Sequence, residues 1–235
     1  MCYRCSKQKA KYHAIVTAPT SGAFACYFPA MSRITHLFRK LHSGETMNVE
    51  KEITLLAGSG IVGDTNANPR SPRQVLITRQ EDLDRFAVLP GALRENIIIS
   101  GLPEAKFIPG ARIALGEDVV IRLTFHCEPC KIVTHLVKNP KELIHHRGIL
   151  GVVIAGGTIS LHDEVKSDRH YYEPYPDKPY DRFVQFMSQV PEGQTVTYAM
   201  ILEGMGVAKG YGRAIPGYVK RAAEGFVTMP VIRKS

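Results

Sequence analysis

The stretch Phe125–Lys131, FHCEPCK, places two thiols three residues apart around a proline. A thiolate is the form of cysteine that attacks electrophiles and ligates soft metals. Pro129 fixes its own φ and has no N–H, so the backbone should leave any regular ladder there. On such a turn the Cys130 thiol can point into a cavity, whereas Cys127 reads as a small buried hydrophobe. The cysteines number five, Cys2, Cys5, Cys26, Cys127 and Cys130. That odd count argues against a secreted disulfide framework and for a reducing compartment. A zinc site built from Cys2, Cys5, Cys127 and Cys130 is the lesser reading, since the two pairs lack a compact ribbon spacing. His135, His145 and His146 follow closely. A helix end over Leu143–Arg147, where imidazole complements the dipole in solvent, is preferred to a metal cluster.

These residues need elements to hold them. Gly148–Ala155 is a β-rich run, ends at Gly156-Gly157, and is followed by the short strand Thr158–Leu161, so a tight hairpin is expected. Upstream, strands are expected over Met47–Leu56, Arg73–Ile77, Arg94–Ile99, Ala111–Leu115 and Val119–Thr124, with a short polar helix over Arg79–Phe86. The glycine-rich turn Ala57–Asp64 lacks the Gly-Lys-Ser/Thr and following helix of a P-loop. Many short strands with turn signals between them indicate a barrel or sandwich rather than a Rossmann sheet.

Charge is unevenly spread. The net +8 of the 235-residue chain divides into +7 for residues 1–44, −2 for residues 45–176 and +3 for residues 177–235. The middle is therefore no basic nucleic-acid platform. No apolar run approaches the roughly 18 residues of a membrane span, so no membrane partner is expected. Residues 1–30 are basic and acid-free. They are expected to be a disordered, dispensable extension, with an organellar transit peptide and a true start at Met31 as alternatives. Cytoplasmic location is expected.

Taken in order, Gly60-Ile61-Val62-Gly63-Asp64, Arg73-Gln74-Val75, Glu95-Asn96-Ile97, Pro109-Gly110 to Gly116, Pro129-Cys130 and Gly148 to Asp163 resemble the MOSC domains. These occur at the C-terminus of molybdenum-cofactor sulfurases, in amidoxime-reducing components, and as stand-alone bacterial proteins. The resemblance covers roughly Met31 to Lys166 and implies a MOSC-type β-barrel with peripheral helices. It implies that Cys130 is the catalytic, molybdenum-ligating thiolate of a bound molybdenum cofactor (molybdopterin), or else a persulfide carrier working with a sulfur donor or acceptor protein. Asp64, Arg73 and Asn96 match further motif positions. They are candidates for cofactor contact, with turn capping and barrel hydrogen bonding as the equal alternative. Lys131 and His126 are the cations expected to favour a thiolate. His162 departs from the family's Gly-Asp pair, so a different bend is expected at the last turn.

Asp168–Pro179 is rich in Pro and Tyr and reads as a semi-rigid linker. Residues 180–235 then suggest three short helices and a terminal strand, with Thr197 as a helix N-cap. Val190–Tyr198, Arg213-Ala214-Ile215 and Pro230–Arg233 resemble the DNA-binding domain of O6-alkylguanine-DNA alkyltransferases. The resemblance implies a small winged-helix-like domain contacting DNA through Tyr198, Arg213 and Arg233. Val231 and Ile232 stand where that family has its acceptor cysteine and activating histidine, so alkyl transfer is ruled out. Pro216 is expected to kink its helix. The fold expectation is thus mixed α+β, with a barrel at 31–167, a linker at 168–179 and a helical domain at 180–235. The functional expectation is a cofactor-binding barrel that reduces N-hydroxylated compounds or transfers sulfur. The alternative is a DNA-interacting protein with the barrel as accessory.

Overall fold

The computed structural model describes residues 31–42, 44–131, 133–223 and 230–233. Residues 1–30, with Cys2, Cys5 and Cys26, lie outside the described residues, and so does the expectation attached to them. The chain opens with β1 (Arg33–Arg39), β2 (Asn48–Glu50), β3 (Glu52–Leu56) and β4 (Gly60–Ile61). There follow β5 (Val75–Arg79), α1 (Gln80–Phe86), β6 (Ile97–Ser100), β7 (Arg112–Leu115) and β8 (Val119–His126). β9 (Ile149–Ala155), β10 (Gly157–Ser160) and β11 (Val165–Asp168) complete the sheets.

Eight strands form one sheet in the order β11-β7-β8-β9-β5-β6-β1-β2, and β10-β3-β4 form a second. β5 is buried along its whole length. Val75 and Ile77 enter the main core with Ile53, Leu55 and Ile121, while Leu76 faces the other way with Phe125, Cys127 and Leu150. A strand that must satisfy two apolar faces reads as a continuous hydrophobic run, as this one does. β5 and β6 are parallel, joined through α1. α1 ends on Ala87 in the left-handed region (φ 52), whose N–H bonds back to the Asp84 and Leu83 carbonyls.

Two expectations about this region need correction. The barrel is not closed. β2 occupies the outer edge of β1 over Leu37–Arg39, which leaves only the start of β1 for the returning chain. One antiparallel bridge, Arg33 to Glu164, joins them, together with the His162 N–H donating to the Ile34 carbonyl (2.9 Å). Nor do β9 and β10 form a hairpin. β10 pairs with β3 instead, Gly157 opposite Leu55 and Ser160 opposite Glu52. Gly156 permits the crossing, because a Cβ there would sit 2.6 Å from the Leu55 carbonyl oxygen. At the next turn His162 takes the left-handed conformation (φ 74), which residues carrying a Cβ rarely adopt.

After β11 the Tyr/Pro-rich stretch is laid along the sheet. The Arg122 guanidinium lies over the rings of Tyr172 (5.3 Å) and Tyr175 (4.8 Å), and Arg112 over Tyr171 (5.6 Å). Beyond it come α2 (Pro179–Ser188), β12 (Thr195–Thr197), α3 (Tyr198–Met205), α4 (Ile215–Ala222) and β13 (Val231–Arg233). They share a core of Phe183, Met187, Val196, Ile201, Met205 and Ile215. The Thr197 hydroxyl accepts from the Met200 N–H (3.2 Å) and caps α3. Pro216 does not kink its helix. It occupies the first turn of α4, where a missing N–H costs nothing. Among the described residues, no helix is long and apolar enough to cross a membrane.

Candidate functional site

On the sheet face opposite the main core, Leu76, Phe125, Cys127 and Leu150 form an apolar floor. Above it opens a cavity of about 570 Å³. Its polar lining comes from strand ends: Lys40 after β1, Arg73 before β5, Asn96 before β6, His126 to Lys131 after β8, and Arg147 before β9. The far wall is Arg182 of α2 together with Gly206, Val207, Ala208 and Tyr211, which follow α3.

The thiol lies at the rim. Cys130 is partly exposed, and its carbonyl accepts from the Val133 and Thr134 N–H groups (2.9 and 3.1 Å), which fixes the turn. Arg147 Nη1 reaches Cys130 Sγ at 3.5 Å. This arginine is 5 % exposed. Its other bonds go to the carbonyl oxygens of Glu128 and Leu93, and its Nε has no partner among the described residues. The guanidinium thus gives the sulfur a cationic hydrogen-bond donor. Cys127, in contrast, is packed into the floor, 2 % exposed, and burial raises its pKa. Only one of the two thiols is presented for chemistry.

Nothing in the sequence sets Arg147 apart, and Lys131 and His126 are the cations it suggests. Both do line the cavity. Burial, then the neighbouring His145, lowers the pKa of His126, so its imidazole is neutral near pH 7. Its Nδ1 is buried without a hydrogen-bond partner, 3.9 Å from Asp177 Oδ1, and its ring meets that of His145 edge-on (4.4 Å between centroids). His146 is not a dipole partner in solvent. A single 3-10 turn, Pro140–Leu143, replaces the expected helix end, and the His146 Nδ1 sits 3.0 Å from Asp82 Oδ1. His135 is exposed. No group of three metal-ligating side chains exists among the described residues.

The other candidates divide by position. Arg73 lines the cavity and donates to the Gly206 carbonyl (3.0 Å). Asn96 lines it too, but its amide is engaged: Oδ1 accepts from the Leu76 N–H, and Nδ2 donates to Asp64. Asp64 lies behind the wall, 6 % exposed. Its carboxylate accepts from the backbone N–H of Lys40 and Asn66 and from the Asn66 and Asn96 side chains. Asp64 thus holds three lining residues in place. Tyr198 faces a second cleft of about 770 Å³ between the sheet and α3, which shares Arg73, Gly206, Val207 and Ala208 with the first. Arg213 and Arg233 are exposed.

Charge sets the character of the main cavity. Lys40, Arg73, Arg94, Lys131, Arg147 and Arg182 line it, against one carboxylate, Glu128. A partly enclosed site with this balance attracts anions. A single accessible thiol among cations suits a ligand that brings most of its own donor atoms rather than a bare ion.

Residues 70–166 match the MOSC domain. The MOSC region therefore contains Arg73, Asn96, Cys130 and Arg147, whereas Lys40, Asp64 and the α2–α3 wall lie outside the matched residues. Among solved structures, the YUAD protein from Bacillus subtilis is 19% identical with a TM-score of 0.50, covering 58% of this chain and 96% of that one. YiiM from Escherichia coli is 19% identical (TM-score 0.44, 83% and 95% covered). YiiM from Geobacillus stearothermophilus is 11% identical (TM-score 0.48, 80% and 99% covered). At such identities the Bacillus likeness concerns the fold alone. No curated protein matches the chain.

Proposed function

We propose that the MOSC region binds a molybdenum cofactor with Cys130 as its thiolate ligand, and that the protein reduces a small N-hydroxylated compound with electrons from a separate donor. The observation that carries this reading is Cys130 Sγ, 3.5 Å from a buried arginine at the rim of a strongly cationic cavity. The residues fit the group. One soft donor is offered, the lining suits an anionic ligand, and the apolar floor of Leu76, Phe125 and Leu150 can take a flat ring system. When bound, the cofactor supplies two-electron chemistry at molybdenum.

The chain's own residues would divide the remaining work. Arg147 donates a hydrogen bond to Cys130 Sγ and orients it toward the cavity. Lys40, Arg73, Arg94 and Lys131 attract and orient negative charge. Neutral His126 can accept a proton and pass it on, as a reduction that releases water requires. The α2–α3 wall narrows access, which favours a small-molecule reaction over persulfide exchange with another protein. No feature of Tyr198, Arg213 or Arg233 favours DNA contact over a surface role.

Protein purified from a host that makes the cofactor should carry about one molybdenum per chain, and Cys130→Ser should lose most of it while keeping its circular dichroism. Equal molybdenum in both proteins, or none in either, rejects the reading.

A further inference from the structure

A buried ionic network lies behind the Cys130 loop, and the cavity lining includes none of its members. Arg79, at the end of β5, grips Asp82 of α1 through both carboxylate oxygens (2.9 and 3.0 Å). The two residues are 7 % and 5 % exposed. Such a pair already offsets its own desolvation. Asp82 Oδ1 nevertheless takes a further partner, His146 Nδ1, at 3.0 Å. The same imidazole has Arg85 Nη1 3.3 Å from its Nε2, and the Phe86 ring lies 5.8 Å away between centroids. Asp82, Arg85 and Phe86 all belong to α1, so one helix holds a single ring by both nitrogens and one flank.

These partners fix the tautomer. A guanidinium only donates, so Nε2 beside Arg85 is the acceptor. The proton of the neutral ring then sits on Nδ1 and is given to Asp82. The grip matters for the residue that follows. The N–H groups of His146 and Arg147 both donate to the Leu143 carbonyl (3.0 and 3.1 Å), and the Arg147 carbonyl accepts from the Thr78 hydroxyl (3.1 Å). His145, just before, is in the left-handed region at φ 66. A residue with a Cβ keeps that conformation only where its surroundings impose it. His146 ties this strained turn to α1, and Arg147 leaves the same turn to reach Cys130 Sγ at 3.5 Å.

We infer that α1, through Asp82 and Arg85, clamps His146 so that Arg147 meets the Cys130 sulfur, which makes His146 a positioning residue for the thiol site. A long arginine side chain is placed no better than the backbone from which it starts. A shift of about 1 Å at that origin is enough to break a contact of this length to sulfur. The inference rests on reading Cys130 as the functional thiol, and it applies whatever ligand the sulfur takes.

The test uses the full chain without cofactor and needs no turnover. Nitrogen NMR of the wild type should find the proton of the neutral His146 ring on Nδ1. Alkylation at Cys130 is then followed by mass spectrometry with two reagents of similar size, anionic iodoacetate and neutral iodoacetamide. The ratio of the two rates reads the positive charge at the sulfur, whereas a change in stability or exposure moves both rates together. His146→Ala should lower that ratio about threefold, the scale of one charge pair near a wet surface. His146→Asn, whose amide donates from the place of Nδ1, should keep it at the wild-type value. A proton on Nε2, an unchanged ratio in His146→Ala, or a ratio in His146→Asn as low as in the alanine variant would each overturn the inference. The NMR result stands even if the alanine variant misfolds. Neither measurement reads molybdenum, so their failure leaves Cys130 as metal ligand standing, and protein without molybdenum leaves the clamp standing.

Discussion

The two walls of the cavity are built on different principles. The sheet wall presents Arg73, Cys130 and Arg147 from the ends of strands whose other residues fill a core of more than twenty buried or nearly buried apolar side chains. The helical wall presents Arg182 and Gly206–Tyr211 from α2 and the end of α3, elements of ten and eight residues over a core of eight buried side chains. Helices of that length have little stability by themselves in water. The Cys130 thiol therefore sits on the well-anchored wall, while the wall that closes the cavity is the one able to open at lower cost.

The contrast can be tested most severely at Gly148, which precedes β9 at φ 109. A Cβ there would lie 2.4 Å from both the Ile77 carbonyl oxygen and the Thr78 hydroxyl. Gly148→Ala should cost roughly 3–5 kcal/mol in urea unfolding and displace Arg147 with it. A loss below about 1 kcal/mol would mean the sheet wall yields far more easily than its packing implies.

Gly206→Ala probes the other wall. The glycine ends α3 at φ 62, and a Cβ would come within 2.9–3.0 Å of Pro72, Arg73 and Phe125. A penalty of roughly 1–3 kcal/mol is expected. It should fall on the helices first, seen as faster proteolysis within residues 179–223 before the sheet unfolds. Simultaneous loss of both regions would show that they form one cooperative unit.

The two thiols sharpen the comparison within one wall. Cys127→Ser places a hydroxyl in the apolar floor and should cost about 1–2 kcal/mol while leaving molybdenum content near normal. Cys130→Ser, at the rim, should cost under about 0.5 kcal/mol. Reversal of these two outcomes would exchange the roles assigned to the pair.

The smallest effect concerns pH. The folded pKa of His126 lies below its ordinary value of 6.5, so the unfolded chain binds more protons as pH falls through that value. Stability contributed by neutral His126 is present above about 6.5 and is lost as pH drops below it. His126→Phe should flatten the acid side of the melting profile between about pH 5 and 7. An unchanged profile would place the acid sensitivity elsewhere, with buried Glu95, whose pKa burial raises, contributing the opposite slope.

Much of this protein could be read from short windows of sequence. The run Arg73–Ile77 announced a strand, Thr197 announced the start of α3, and the Pro129-Cys130 turn announced a thiol outside regular structure. Those features depend on side-chain period, capping and backbone φ, which act within a few residues. Other features did not show. β10 joined β3 rather than its neighbour β9 because Gly156 lets two backbones approach, and that approach exists only once the sheets are stacked. Pro216 could be placed inside or at the head of a helix only when the helix boundary was fixed. Arg147 and Arg182 looked like ordinary cations in the sequence, 17 and 52 residues from Cys130 along the chain. Only the folded sheet sets Arg147 beside that sulfur, and only the docking of α2 on Phe125 carries Arg182 to the same cavity. Sequence alone determined which residue carries the thiol and where its turn lies. Tertiary structure decided which charges surround it, because burial and long-range approach have no signature in a local pattern.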